Sequence, residues 1–220
     1  MQAHHANPQN RTTILFAHYG GDSILGSERC LLDLLSHLDR KCFTPIVWCN
    51  SKTMANEVRH LGVLVIQSEF PLLLGWQPPR FAIGAFYRLV KQGIKLVDVY
   101  GVSLIHSNSG APNQWLKLVA RASHVPLLAQ LHSRYPLRER LSLGLHHVPM
   151  VVGVSQPIID QLLRDGMPAE RTCVIPNGID TNRLESQPRV NLRSMLNLNK
   201  GDFVIASVGS LIHRKGTDLI

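Results

Sequence analysis

The chain has 220 residues, of which 45% are apolar, and a net charge of +8 at neutral pH; this suits one large or two small globular domains with a real core and excludes a disordered chain. Its Lys and Arg are scattered with no dense basic run, which sets nucleic acid aside as a partner and leaves an anionic surface or substrate. No apolar run approaches the roughly 18 residues of a spanning helix, the polar N-terminus lacks a signal-peptide core, and Cys30, Cys42, Cys49 and Cys173 show no CxxC spacing, so reduced thiols in a cytoplasmic protein are expected and a metal site is not.

After a flexible tail over residues 1–12, the run Ile14, Leu15, Phe16, Ala17 reads as a parallel strand covered on both faces. Gly20 and Gly21 follow. They either make a plain connection or let a ligand approach main chain that carries no Cβ. Ser27 is placed to cap the next helix, Glu28 puts a negative charge in its first turn, and Leu31, Leu34, Leu35 and Leu38 form its apolar face. Strands at 45–49 and 63–66 flank a helix bearing Met54, Val58 and Leu61, which Gly62 ends. Residues 70–80 form a loop whose Leu72, Leu73, Leu74 and Trp76 either pack inward or cover a cleft or lipid surface.

A helix with Phe86, Leu89, Val90, Ile94 and Val97 leads to a fourth strand at 102–106, whose end carries His106, Ser107 and Asn108. The fifth strand, 127–131, ends at His132, and the loop 133–140 carries Arg134, Tyr135, Arg138 and Arg140. A sixth strand at 150–154 reaches Ser155, with Pro157 opening the helix behind it. A short seventh strand at Val174 and Ile175 leads into Pro176, Asn177, Gly178, Ile179 and Asp180. This alternation predicts an α/β, Rossmann-like, doubly wound parallel sheet over residues 13–182. A linker at 183–201 and a fresh buried strand and loop at 202–220 then read as the start of a second, truncated Rossmann-like domain.

Gly20 with Gly21, the segment from His106 to Asn108, His132 and Ser155 all follow strand ends, so a parallel sheet gathers them on one rim, where such folds bind ligands. His132 is expected to touch a ligand, and His106 is as readily a structural residue as a ligand contact. Lys215, between Arg214 and Gly216 at a strand-to-helix turn, is of the type that clamps phosphate.

The string VIPNGID at 174–180, with VGVSQPIIDQL before it, VGSLIHRKGTDLI after it and GSERCLLDLL at 26–35, resembles the retaining family 4 glycosyltransferases of GT-B fold. The resemblance implies two Rossmann-like domains facing a cleft, with the acceptor mostly on the N-terminal one and a nucleotide sugar mostly on the other. It implies transfer of a sugar to a glycan or lipid-linked acceptor with retention, His132 as the catalytic contact to the transferred sugar, and substrate contacts from Gly20, Gly21, His106, Asn108, Ser155 and Asn177. Ser210, Arg214 and Lys215 would hold the donor diphosphate. No cofactor or metal is implied beyond the nucleotide sugar as co-substrate, and the protein would be cytoplasmic or peripheral at the inner face of the membrane. Many members have Arg at the position of Ser210 and Asp at that of Ser133, and the paired-Glu motif lies beyond Ile220. This chain alone is therefore expected not to turn over a nucleotide sugar. Its three Arg at 134, 138 and 140 are expected to give weak, salt-screened association with anionic vesicles.

Two other readings stand beside this one. The first is a carbohydrate- or partner-binding remnant without catalysis. The second, a dinucleotide-binding oxidoreductase, lacks the G-x-G-x-x-G spacing and has Cys49 and Asn50 where an acidic residue would hold a ribose.

Overall fold

The computed structural model describes residues 11–73, 81–209, 216 and 219. The elements in chain order are β1 (Thr12–His18), α1 (Gly26–His37), β2 (Phe43–Cys49), α2 (Lys52–His60), β3 (Leu64–Gln67), α3 (Ile83–Tyr100), β4 (Leu104–Ser107), α4 (Asn113–Ser123), β5 (Leu127–Leu131), α5 (Leu137–Ser142), β6 (Met150–Gly153), α6 (Gln156–Arg164), β7 (Thr172–Val174), α7 (Thr181–Glu185) and α8 (Leu192–Met195). The seven strands form one parallel sheet in the order β3-β2-β1-β4-β5-β6-β7. Winding runs outward from β1 to β3, then restarts at β4 on the other side of β1, so the β1–β4 pair is the switch point at which α/β sheets open a crevice.

Strand alternation sends each sheet face to its own core. Ile14, Phe16, Val47 and Cys49 meet Leu31, Leu32 and Leu35 of α1 and Met54, Ala55 and Val58 of α2. On the opposite face Leu15, Ala17, Ile46 and Trp48 meet Leu89 and Val97 of α3 and Trp115, Leu116 and Val119 of α4. Gly93 lets α3 lie close to α4, since a Cβ there would stand 2.6 Å from Val119 Cγ2. The doubly wound sheet expected from the sequence is the observed fold.

Several local expectations are corrected. Leu32, not Leu34, completes the buried face of α1, which runs through Glu28, Leu31, Leu32 and Leu35 at helical spacing and leaves Leu34 exposed. Ser27 lies inside the first turn and caps nothing. Glu28 reaches back instead, its Oε2 accepting from the Leu25 N–H (3.2 Å) and the Ser27 hydroxyl (3.0 Å), as an acidic residue at the third helical position can. Phe70 and Leu72 are buried, Phe70 edge-on to Trp48 at 5.1 Å, so this part of the 70–80 loop packs inward; Leu74 and Trp76 lie outside the described residues.

The basic loop is also altered. Residues from Leu137 form α5, and Arg140 turns inward to hold Asp165 through Nε (2.5 Å) and Nη2 (2.8 Å) while Nη1 donates to the Tyr135 carbonyl and Gln161. This pairing with Arg140 overcomes a small burial effect and keeps the Asp165 carboxyl down at about 2. Only Arg134 and Arg138 of the expected cluster are exposed.

The chain divides into two compact units, the first ending at Gly178 and the second beginning at Ile179. In the second, α7 and α8 are each started by an Asx cap, Asp180 accepting from the Arg183 N–H and Asn191 from the Ser194 N–H. The buried strand expected from residue 202 is not formed: residues 202–208 carry no regular structure, and Phe203, Ile205 and Val208 are exposed. A strand apolar on both faces needs paired neighbours and covering helices, and no described residues of this unit supply them.

Candidate functional site

Parallel topology brings the carboxyl ends of the strands to one rim. At the β1–β4 switch point stand His18, the last residue of β1, and Asn108, the first residue after β4; His132 follows the adjacent β5. Asn108 links all three elements. Its backbone N–H donates to the Ala17 carbonyl (2.9 Å), its Nδ2 donates to the Ser27 carbonyl (3.0 Å) and to His18 Nδ1 (3.1 Å), and its Oδ1 lies 3.3 Å from His132 Nε2. His18 Nε2 is 2.8 Å from Glu28 Oε1.

The hydrogens of this chain have one consistent arrangement. A carbonyl only accepts, so Asn108 must present its amide nitrogen to Ser27 and its oxygen to His132. His18 then accepts at Nδ1 and donates from Nε2 to the Glu28 carboxylate, and His132 donates from Nε2 to Asn108. The Nδ1 of His132 is left as a bare acceptor, buried and without a hydrogen-bond partner. Burial lowers His132 to about 4, so the ring is neutral near pH 7 and Nδ1 stays an acceptor. Burial alone would raise the Glu28 carboxyl, yet the bond from His18, with those from the backbone and Ser27, outweighs it and holds the group at about 2.

The two glycines have different surroundings. Gly20 is clamped by Asn50, which accepts its N–H at 3.0 Å and donates to its carbonyl at 2.9 Å. A Cβ on Gly20 would stand 2.5 Å from Glu28 Oε1 and 2.7 Å from His18 Nε2, whereas one on Gly21 would meet nothing within 4 Å. Tyr135 ties the loops after β4 and β5 together, its hydroxyl accepting from the Gly110 N–H at 2.9 Å, and Asn113 donates to the carbonyls of Ser109 and Gly110. These bonds fix the separation of Asn108 and His132.

The structure thus brings Gly20, Asn108 and His132 into one cluster through His18 and Glu28, while Gly21, next to Gly20 in the chain, is exposed and packs against nothing. His106 sits within β4, its ring tilted against Phe16 at 4.9 Å and bonded to Gln130 Oε1 at 3.1 Å; burial, against the pull of the Gln130 bond, lowers it to about 4. Ser155 precedes α6 without a side-chain cap bond, and Asn177 is exposed beyond β7. Ser210, Arg214 and Lys215 lie outside the described residues. Sequence reasoning missed His18 and Asn50 and saw in Glu28 only a helix-dipole charge. The available signal was positional: His18 ends its strand and Asn50 directly follows β2, both at the rim.

Acid should weaken this fold in two stages. The half-buried His106 and His132 resist protonation that the unfolded chain accepts below about 6.5, so stability present above that pH is lost as pH falls toward 4. Glu28 adds a further loss between 4.5 and about 2, because its folded value is depressed. Urea unfolding from pH 7 to 4 should show a loss of at least about 2 kcal/mol, with a shallower slope in His132→Ala. A slope unchanged in that variant would contradict the assignment.

A doubly wound parallel sheet with polar groups converging at its switch point has the architecture of the N-terminal Rossmann-like domain of GT-B glycosyltransferases. The chain belongs to Glycosyltransferase Family 4, whose family model matches residues 24–183. Similar solved structures include HepE from Anabaena in complex with UDP, with 22% identity and a TM-score of 0.63 over 84% of this chain and 50% of that one. A glycosyltransferase from Rickettsia africae shows 18% identity and a TM-score of 0.64 over 87% and 51%. The lipopolysaccharide outer core galactosyltransferase WaaB shows 12% identity and a TM-score of 0.60 over 77% and 46%. The chain spans about half the length of these structures, and at such identities the likeness concerns the fold. No curated protein matches the sequence.

Proposed function

We propose that this chain supplies the sugar- and acceptor-binding lobe of a glycosyltransferase that moves a sugar from a nucleotide-sugar donor to a glycan or lipid-linked acceptor, with retention of configuration. The observation that carries the reading is the buried, unpartnered Nδ1 of His132 at the switch-point rim. A neutral imidazole held by Asn108 accepts a hydrogen bond from a sugar hydroxyl once its surroundings shift to uncover Nδ1, and so orients the sugar for transfer. Gly21, with open space above it, lets the sugar or its phosphate come up to the main chain. Asn50 satisfies the Gly20 peptide, so Gly20 serves by leaving room for the His18–Glu28 pair.

Family membership supports the glycosyltransferase reading over the oxidoreductase one, as does the use of Asn50 on Gly20 at the position where a ribose would need an acid. The structures of HepE with UDP and UDP-glucose support a nucleotide sugar as the ligand class. In this reading Ser210, Arg214 and Lys215 hold the diphosphate, where cations and amides stabilise the charge that grows on the leaving group, and no resident cofactor takes part. No helix among the described residues is long and apolar enough to cross a membrane. We place the protein in the cytoplasm, meeting a lipid-linked acceptor at the membrane face.

Saturation-transfer NMR of the chain with a panel of UDP-sugars and glycan acceptors tests the proposal. A carbohydrate ligand saturated by the wild type and weakened at least about tenfold by His132→Ala is the expected result. Carbohydrate saturation equal in both proteins, or none with any member of the panel, would overturn it. Where a product forms, an inverted anomeric linkage would refute retention.

A further inference from the structure

The sheet edge opposite the candidate site holds a second feature. Between the end of α4, the connection into β5 and the turn before β6 lies a cavity of about 720 Å³, of a size that takes a small ligand. Lys117, Arg121, His124 and His147 line it together with apolar residues that include Leu118 and Val125, and no carboxylate does. Among the described residues none of these four side chains makes a hydrogen bond or ion pair.

Cations near a helix C-terminus are favoured by the helix dipole, which accounts for Arg121 in the last turn of α4. It does not account for Lys117, in the middle of that helix. Its ammonium packs directly over Gly144, where a Cβ would stand 2.1 Å from Nζ, and burial lowers its pKa. An unpaired, half-buried cation is a cost that a bound anion removes. His124 is the left-handed C-cap of α4, at φ 55, an ordinary helix ending that sets its ring at the edge of the cavity.

We propose that this cavity binds a phosphate monoester carried on a short apolar chain, the phosphate among Lys117, Arg121 and His147 and the chain along Leu118 and Val125. The chemistry is that of an anionic lipid headgroup or of a soluble phosphoester, and the site is separate from the sugar site at the opposite rim.

Calorimetric titration of the chain with hexyl phosphate, inorganic phosphate and hexanol tests this. Saturable one-site binding of hexyl phosphate is expected, with each half alone at least about tenfold weaker. Lys117→Met and the exposed Arg121→Gln should each weaken hexyl phosphate about tenfold, and Arg59→Gln, a distant surface cation, should not. Since Arg121 is exposed, its variant keeps the test valid should Lys117→Met unfold. Vesicles of phosphatidylcholine with and without phosphatidic acid identify the source. Binding that needs phosphatidic acid and falls in the same variants assigns the site to a lipid headgroup; hexyl phosphate binding without vesicle binding assigns it to a soluble phosphoester. No saturable binding at millimolar hexyl phosphate, or equal affinity in wild type and Arg121→Gln, would overturn the proposal.

Discussion

Replacing Asn108 by Leu is expected to remove about 3–5 kcal/mol of stability, the largest effect of any substitution at the rim. Leucine keeps the volume but strips three partners at once: the Ser27 carbonyl, His18 Nδ1 and His132 Nε2. Asn108 is fully buried, and each orphaned group there costs about 1–3 kcal/mol, with some relief where the rim admits water. The backbone bond to the Ala17 carbonyl survives, so the strand end stays in place and the loss reports the side chain. Urea unfolding measures it. A loss below about 1 kcal/mol would show that the bonded chain from His132 to Glu28 does not hold the rim together.

The second large effect separates two neighbouring glycines. Gly20→Ala forces a methyl to within 2.5 Å of Glu28 Oε1 and 2.7 Å of His18 Nε2, so one member of the pair must leave its partner. Breaking a buried charge-assisted bond and shifting its surroundings should cost about 2–4 kcal/mol. Gly21→Ala meets no atom within 4 Å and should change stability by less than about 0.5 kcal/mol, yet it narrows the approach to the main chain and should weaken a carbohydrate ligand. The pair of variants therefore distinguishes a glycine needed by the fold from one needed by the ligand. Equal thermal midpoints for the two proteins would contradict the geometry.

Much of this rim is legible in the amino-acid sequence. The short apolar runs from Ile14 and from Leu127, spaced by helix-period stripes, impose a parallel sheet, and that sheet places Gly20, Asn108 and His132 on one rim. Local pattern is a weaker guide to polar partners. Arg140 looks like a solvated charge in sequence, but its partner Asp165 is 25 residues away across two further elements. Ser27 has the type of a cap, yet it falls at the second helical position, where its hydroxyl donates to Glu28, whose longer side chain reaches both Leu25 and His18. The bond from Asn108 to His18 spans 90 residues, and no short-range signal carries such a pairing. The apolar run from Phe203 has the composition of a buried strand, but burial depends on neighbours that composition does not specify.

Whether the switch-point rim is the sugar site is decided by an NMR titration with UDP-glucose that follows the His132 ring and the amides of Gly20, Gly21 and Asn108. Saturable shifts are expected at Gly21 and at the His132 ring. The ring should keep its hydrogen on Nε2 and its neutral form at pH 7, and the same shifts should be lost in Gly21→Val, which stays folded. Shifts confined to other parts of the chain, no shifts at millimolar ligand, or a His132 ring that is charged at pH 7 would contradict this assignment.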